Sequence, residues 1–310
     1  MENTAYKNLP TKSWVEERKN YIGGSEVAAI LGLSPYSTPL QTWLRKKNLI
    51  PPIDSTPIME FGNIFEPIMA EYFTNTTGLA VRNVKRTFEH PEFDYLRANI
   101  DRQILRSDAH PSTGVLELKT TTSHRMKAEE GLIPIDWYCQ IQHYLGVTGY
   151  QYAYLVIYER DTCFFHTPML IERDDKLIRQ NMETLQQWWF TYMIQDKRPA
   201  PINGEDVLLI YPDSTDKVTE ASAAVFEDYV RLIGVKKRIK DLETAKEDLE
   251  VSLKLHMGTA DKLVAKGKTL ASWKSQTTRR FDSKVFQKDY PDMYKRYINE
   301  TQTRRFIVKQ

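Results

Sequence analysis

Cysteine is nearly missing from this sequence: Cys139 and Cys163 are its only two. They form no CxxC pair, which argues against a zinc site and still more against a disulfide framework, and fits a reducing cytoplasm. No window approaches the roughly 18 consecutive apolar residues that a membrane span needs. The opening MENTAYKNLPTKSW is polar and lacks the apolar centre of a signal peptide. The expectation is a soluble cytoplasmic protein without a membrane partner. Excess charge of one sign is also missing. With 43 Lys and Arg against 41 Asp and Glu, the formal charge is +2. No global polycation argument for nucleic acid is available, so any such binding must use local clusters. There is no internal repeat and no low-complexity tract.

What is present is enough apolar material for a sizeable core: 41% hydrophobic and 11% aromatic over 310 residues. Residues 13–50 read as short helices, with Ser13 placed to cap a turn carrying Trp14 and Arg18. Gly23-Gly24-Ser25 precedes the apolar run Val27 to Leu31. Residues 57–78 have helical spacing, with Phe65, Ile68, Met69, Tyr72 and Phe73 on one side and Gly78 as the stop. Pro67 lies inside that pattern, so a kink or a later start is expected. Strand texture follows at 80–90, at 94–101 and at 114–120, and the turn formers Asp108, Pro111 and Ser112 separate the last two. A helix over 135–147, strands over 151–158 and 162–170, and a helix over 173–195 complete a mixed α/β layer pattern. Pro199, Pro201 and Gly204 mark a boundary. Beyond it, 217–256 reads as one long helix with a three-and-four seam of Leu232, Val235, Ile239, Leu242 and Leu249, interrupted by Lys246. That seam is expected to pack within the chain. Strand-like runs at 262–273 and 301–308 end a segment holding Arg279-Arg280, Lys295-Arg296 and Arg304-Arg305.

The chemistry concentrates on Asp101 and, sixteen positions later, Glu117-Leu118-Lys119. Residues two apart on a strand share a face, so Glu117 and Lys119 project together while Leu116 and Leu118 enter the core. If 94–105 and 114–120 form a hairpin, Asp101 comes beside Glu117. Two carboxylates so placed repel, and a divalent cation relieves the repulsion. Oxygen ligands select magnesium or manganese over zinc. Such a site suits phosphodiester hydrolysis, with Lys119 orienting or deprotonating the attacking water. The bland alternative is a solvated strand edge bearing a surface ion pair. Trp188, Trp189 and Phe190 could stack on unpaired bases, but their helical spacing favours the core. His143 reads as a satisfied structural histidine.

The pattern Asp101…Glu117-Leu118-Lys119 resembles the PD-(D/E)xK nuclease signature. A wider set resembles the YqaJ-like viral recombinase family, relatives of phage lambda exonuclease. Its pieces are Trp14-x3-Arg18-x5-Gly24-Ser25-Glu26-Val27, Gly62-x3-Glu66-Pro67, Asn99-Ile100-Asp101, Leu116-Glu117-Leu118-Lys119-Thr120 and Gln140-Ile141-Gln142-His143-Tyr144. The basic end, with Arg304-Arg305-Phe306 and Lys309, is similar too, less specifically. The resemblance implies a PD-(D/E)xK core over 1–200, a mixed central sheet flanked by helices. An extension over 201–310, with a long helix and a basic β segment, would pack upon it.

The resemblance also implies roles. Asp101 and Glu117 would hold Mg2+, which Mn2+ could replace, with Leu118 lending its carbonyl; two ions are expected. Lys119 would be the catalytic lysine and Glu66 would serve the second ion. Gln142, with Gln140 behind it, would line the same site. Arg18, Ser25, Asn99 and Arg125 would grip a terminal 5′-phosphate, Asn99 standing where the lambda-type enzyme has serine. The implied activity is 5′ to 3′ digestion of one strand of linear duplex DNA, leaving 3′ tails for a single-strand annealing protein. A homo-oligomer, a ring-shaped trimer in the lambda relative, is implied as well. An endonuclease of the same fold, or a non-catalytic scaffold that binds DNA ends, are the alternatives.

Overall fold

A computed structural model describes residues 16–108, 110–300 and 303–309; Ser13 and Trp14 lie outside the described residues. Local chemistry sets the first helices. Helix α1 (Gly24–Ile30) begins where the Gly23 amide donates to the Glu26 carboxylate at 2.9 Å. Helix α2 (Pro39–Lys46) has Thr38 as its cap, accepting from the Gln41 amide, and Pro39 at its first position. Helix α3 (Pro57–Thr77) is capped likewise by Thr56 and stopped by Gly78 at φ 73°. It is one helix through Pro67, so the later start expected from that proline is not found.

The strands are β1 (Val81–Arg82), β2 (Phe88–Glu89), β3 (Arg97–Ala98), β4 (Arg102–Ile104) and β5 (Gly114–Thr121). Helices α4 (Ser123–Ala128) and α5 (Ile135–Thr148) cross to β6 (Tyr152–Glu159), followed by β7 (Phe164–Phe165), β8 (Met169–Glu172) and helix α6 (Asp175–Trp188). The main sheet runs β1-β4-β5-β6-β7, with β8 also on β6, while β2 and β3 pair separately. β4 lies antiparallel to β5 and β5 lies parallel to β6. The sheet is therefore mixed, and helices cover it, as expected.

Two expected strands are shorter than the sequence pattern. The run 94–101 yields only β3, because its backbone changes partners: Leu96 bridges to Ile22, Ala98 pairs with Phe88, and only from Arg102 does the chain join β5. The run 162–170 splits into β7 and β8 across Pro168, which has no N–H for a ladder. The helix expected over 173–195 leaves α-geometry at Trp188 and continues as a π-helical turn, Trp189–Ile194.

One sheet face packs on α3. Leu116, Leu118 and Val156 join Met69, Ala70 and Phe73 in a buried cluster with Phe65 and Tyr72 against it. Ile68, which the spacing put on that side, is exposed. The opposite face of β5 carries Glu117 and lies under α5. Glu117 is 1% exposed, so this is no solvated edge. A strand with a parallel neighbour is commonly covered on both faces.

The first unit runs to Leu209, past the boundary expected at residue 200. Its last helix, α7 (Gly204–Ile210), is anchored by the buried Asp206, which accepts from Thr38, Gln41 and the Ile202 amide.

The second unit begins at Ile210. It contains α8 (Ala223–Met257), the hairpin β9 (Lys262–Ala265) and β10 (Lys268–Ser272), and α9 (Ser283–Asp289) and α10 (Pro291–Arg296). Leu232, Val235, Ile239, Leu242 and Leu249 are all exposed, so among the described residues nothing buries the seam expected to pack within the chain. No strand forms over 303–309, contrary to the expected run at 301–308; residues 301 and 302 lie outside the described residues. No described helix is long and apolar enough to cross a membrane.

Candidate active site

Strand alternation places Glu117 and Lys119 side by side, with Lys119 Nζ 2.7 Å from Glu117 Oε1. The β4–β5 register ends with Arg102 opposite Leu116, one residue short of Asp101 and of Glu117 on their strands. Asp101 lies just before β4, in a bend, and its Oδ2 accepts from the Leu118 amide at 2.8 Å. From α5, Gln140 reaches down with both ends of its amide. Its Nε2 donates to Glu117 Oε1 at 2.8 Å and to the Tyr144 hydroxyl, while its Oε1 accepts from Lys119 Nζ at 3.0 Å.

Electrostatics follow from the depth of this cluster. Burial, then the charge of Asp101, pushes the Glu117 carboxyl up to about 8. Burial also raises Asp101, against the pull of Lys119 and the Leu118 amide. For Lys119 burial acts downward, but Glu117 and Asp101 together outweigh it and hold the ammonium above its ordinary value. Glu66 is raised by burial and by Asp101, while its ion pair with Arg102 works the other way.

The donor set fits a hard divalent cation. Among the described residues, Glu117 Oε2 is a buried carboxylate oxygen without a hydrogen-bond partner, and a cation is the natural partner for such an atom. The available ligands are Asp101, Glu117 and the Leu118 carbonyl. Among the described residues no three His, Cys, Asp or Glu side chains converge on one ion-sized point. Glu66, expected to serve a second ion, lies close enough to Asp101 and Glu117 for its charge to act on both. Arg102 holds its carboxylate, donating also to the Asp101 carbonyl.

A second cluster collects part of the residues expected to bind phosphate. Arg18 Nη2 donates to Ser25 Oγ at 2.7 Å, the two lying on the short 3₁₀ turn Arg18–Asn20 and on α1. Arg125 donates to Asp136 (2.7 Å) and to the Tyr36 hydroxyl (2.8 Å), with its guanidinium 4.6 Å from the Trp137 ring centre. Asn99 accepts from Thr87 and donates to the Tyr21 hydroxyl.

Residues 13–151 match the YqaJ-like viral recombinase domain. Over 307 residues the chain is 32% identical to a Bacillus subtilis (strain 168) protein called "Uncharacterized protein YqaJ", spanning 96% of this chain and 93% of that one. The chain belongs to the YqaJ-like viral recombinase family. Among solved structures, it is similar to the alkaline exonuclease LHK-Exo of Laribacter hongkongensis, with 20% identity, 60% of this chain and 94% of that one covered, and a TM-score of 0.49. It is also similar to a phage-related exonuclease of Haemophilus somnus 129PT, with 13% identity, coverage of 57% and 96%, and a TM-score of 0.40.

Within this YqaJ-like chain Gln140, not Gln142, meets the carboxylates. Gln142 is fully buried but faces away from the carboxylates: it donates to the Glu172 carbonyl and accepts from the Asp174 amide, tying β8 to α6. Residues two apart on a helix differ by about 200° in direction, so only one of the pair can face the site. That one is Gln140. His143 is only half the satisfied histidine expected: among the described residues its buried Nδ1 has no hydrogen-bond partner. It is buried beside the Arg97 carbonyl, and burial lowers its pKa to about 4, so it stays neutral. Trp188 is in the core, whereas Phe190 is exposed and Trp189 stacks on Tyr95.

Sequence reasoning missed Tyr144, Arg102 and Lys46. Tyr144 was legible, since four residues after Gln140 is the same helix face. Arg102 and Lys46 carry no local signal, because Glu66 is 36 positions from Arg102 and the partners of Lys46 are 20 to 28 positions away.

Proposed function

We propose that this chain is a metal-dependent DNA exonuclease that digests one strand of linear duplex in the 5′ to 3′ direction and leaves 3′ single-stranded tails. The observation that carries the reading is that Lys119 meets the buried Glu117, Asp101 is tied to the adjacent Leu118 amide, and Glu117 Oε2 has no hydrogen-bond partner among the described residues. A divalent cation bound there, Mg2+ or Mn2+, would polarise a water and neutralise the charge building on the phosphate. The chain's own groups do the rest. Asp101 and Glu117 would hold the ion, and the Leu118 amide fixes the Asp101 carboxylate by donating to its Oδ2. Lys119 is held as an ammonium between Glu117 and Gln140. It is placed to orient the attacking water and to steady the developing negative charge on the phosphoryl oxygens.

Polarity rests on the Arg18–Ser25 pair, a guanidinium and a hydroxyl suited to a terminal 5′-phosphate. Arg125 and Asn99 belong to the same reading and would have to exchange their present partners for phosphate oxygens. A single-strand annealing partner and a ring-shaped homo-oligomer are part of it too.

The test is to incubate 5′-phosphorylated linear duplex and covalently closed circular DNA with the protein, in Mg2+ or in EDTA. Loss of the linear duplex alone, and only in Mg2+, is expected. Equal loss of the circle favours an endonuclease, and no Mg2+-dependent loss favours a DNA-end scaffold. Lys119→Ala should lower cleavage by at least about 100-fold while duplex affinity stays; a parallel fall in affinity contradicts the assigned role.

A further inference from the structure

Lys46 is a charged residue at the end of α2 that is only 5% exposed. A lysine so buried must spend its three N–H donors on protein oxygens, since an unpaired ammonium there would be costly. All its partners lie in one short stretch of chain. Nζ donates to the Arg18 carbonyl at 2.9 Å, to the Tyr21 carbonyl, and to the Glu26 carboxylate at 3.0 Å. The two carbonyls bound the turn that presents Arg18. Glu26 follows Ser25 and also accepts from the Gly23 amide. One ammonium thus gathers both ends of the segment 18–26, whose side chains Arg18 and Ser25 meet at 2.7 Å.

The charge arrangement adds a second argument. A methyl-sized atom on Gly23 would lie 3.6 Å from Arg18 Nη2 and 3.8 Å from Glu26 Oε2, so guanidinium and carboxylate border the same small space. A carboxylate left without Lys46 would draw on that guanidinium, in competition with a phosphate. We propose that Lys46 is a positioning residue. It engages Glu26 and fixes the Arg18–Tyr21 turn, so that Arg18 stays aimed beside Ser25, where the two would meet a terminal phosphate together. This rests on the reading of Arg18 and Ser25 as the phosphate grip.

The experiment compares degradation of duplexes ending in a 5′-phosphate or a 5′-hydroxyl, in Mg2+, by the full chain, Lys46→Met and Arg18→Ala, with KM and kcat resolved for each. Lys46→Met should cut the phosphate-to-hydroxyl ratio of kcat/KM by about tenfold or more, the scale of one misplaced charged hydrogen bond, chiefly through KM on the phosphorylated end. Lys46→Met/Glu26→Gln, which removes the competing carboxylate, should regain part of that ratio. An unchanged ratio in Lys46→Met, including an equal fall on both substrates as a merely structural role would give, overturns the proposal. If Lys46→Met does not fold, Lys46→Gln keeps a donor on a shorter stem and carries the same comparison. Arg18→Ala separates the two levels. A ratio lost in Arg18→Ala but kept in Lys46→Met defeats the inference alone, whereas a ratio kept in Arg18→Ala defeats the phosphate grip itself.

Discussion

At the scale of single residues, the site is a problem in partner choice. Glu117 and Lys119 meet because a strand has a period of two, and this was legible in the sequence. Which glutamine joins them was not, because helical spacing shows that Gln140 and Gln142 diverge without showing which side faces the sheet. Substitution separates them. Gln140→Leu deprives Glu117 and Lys119 of their shared amide and should lower kcat by about 10- to 100-fold, the range for groups that orient metal ligands. Gln142→Leu unpairs the Glu172 carbonyl and the Asp174 amide. It should cost about 1–3 kcal/mol of stability while kcat of the folded fraction is kept. Urea titrations beside steady-state rates check both, and the opposite assignment of effects would return Gln142 to the site.

At the scale of elements, α1 and α5 approach so closely that one side-chain atom decides the contact. A Cβ on Gly24 would lie 2.3 Å from the Tyr144 ring, the ring whose hydroxyl accepts from Gln140. Gly24→Ala must therefore push Tyr144 aside, at about 1–3 kcal/mol, the usual cost of overfilling a packed site. A lower urea midpoint together with reduced cleavage is the expected result, and an unchanged midpoint would mean the helices stand further apart. Helix boundaries at this scale were legible in part from stops. Gly78 stops α3 as the pattern suggested, while the Thr56 cap was found only in the structure. The strand over 94–101 was misread because alternation shows that a segment can pair and says nothing of a mid-way change of partner.

At the scale of the whole molecule, the buried carboxylates tie folding to pH and to metal. Glu117 binds a proton up to about pH 8 in the fold, against its ordinary 4.5. The folded state thus holds a proton that the unfolded chain has released. The stability this group contributes is complete below its ordinary value and is lost as pH rises through about 8. A divalent cation needs the carboxylate ionised, so Mg2+ should raise Tm by more at about pH 8.5 than at about pH 6.5. Glu117→Gln should weaken the pH trend, leaving the part due to Asp101 and Glu66, and should remove most of the Mg2+ gain. A Tm gain that is larger at the lower pH would contradict the assignment of Glu117 as a ligand.

The sequence by itself determined what short-range periodicity and stop signals can encode. These are the faces of β5, the stop of α3 at Gly78, the helix expected over 135–147, and the Glu-x-Lys pair. Such features need only interactions a few residues apart. The tertiary structure alone decided that both faces of β5 are covered and that Arg102 takes Glu66. It also turned Gln140 inward and joined Lys46 to the turn at Arg18. These outcomes depend on which polar groups remain unpaired once distant segments meet, and a buried charge takes whatever oxygen the assembled fold brings within reach.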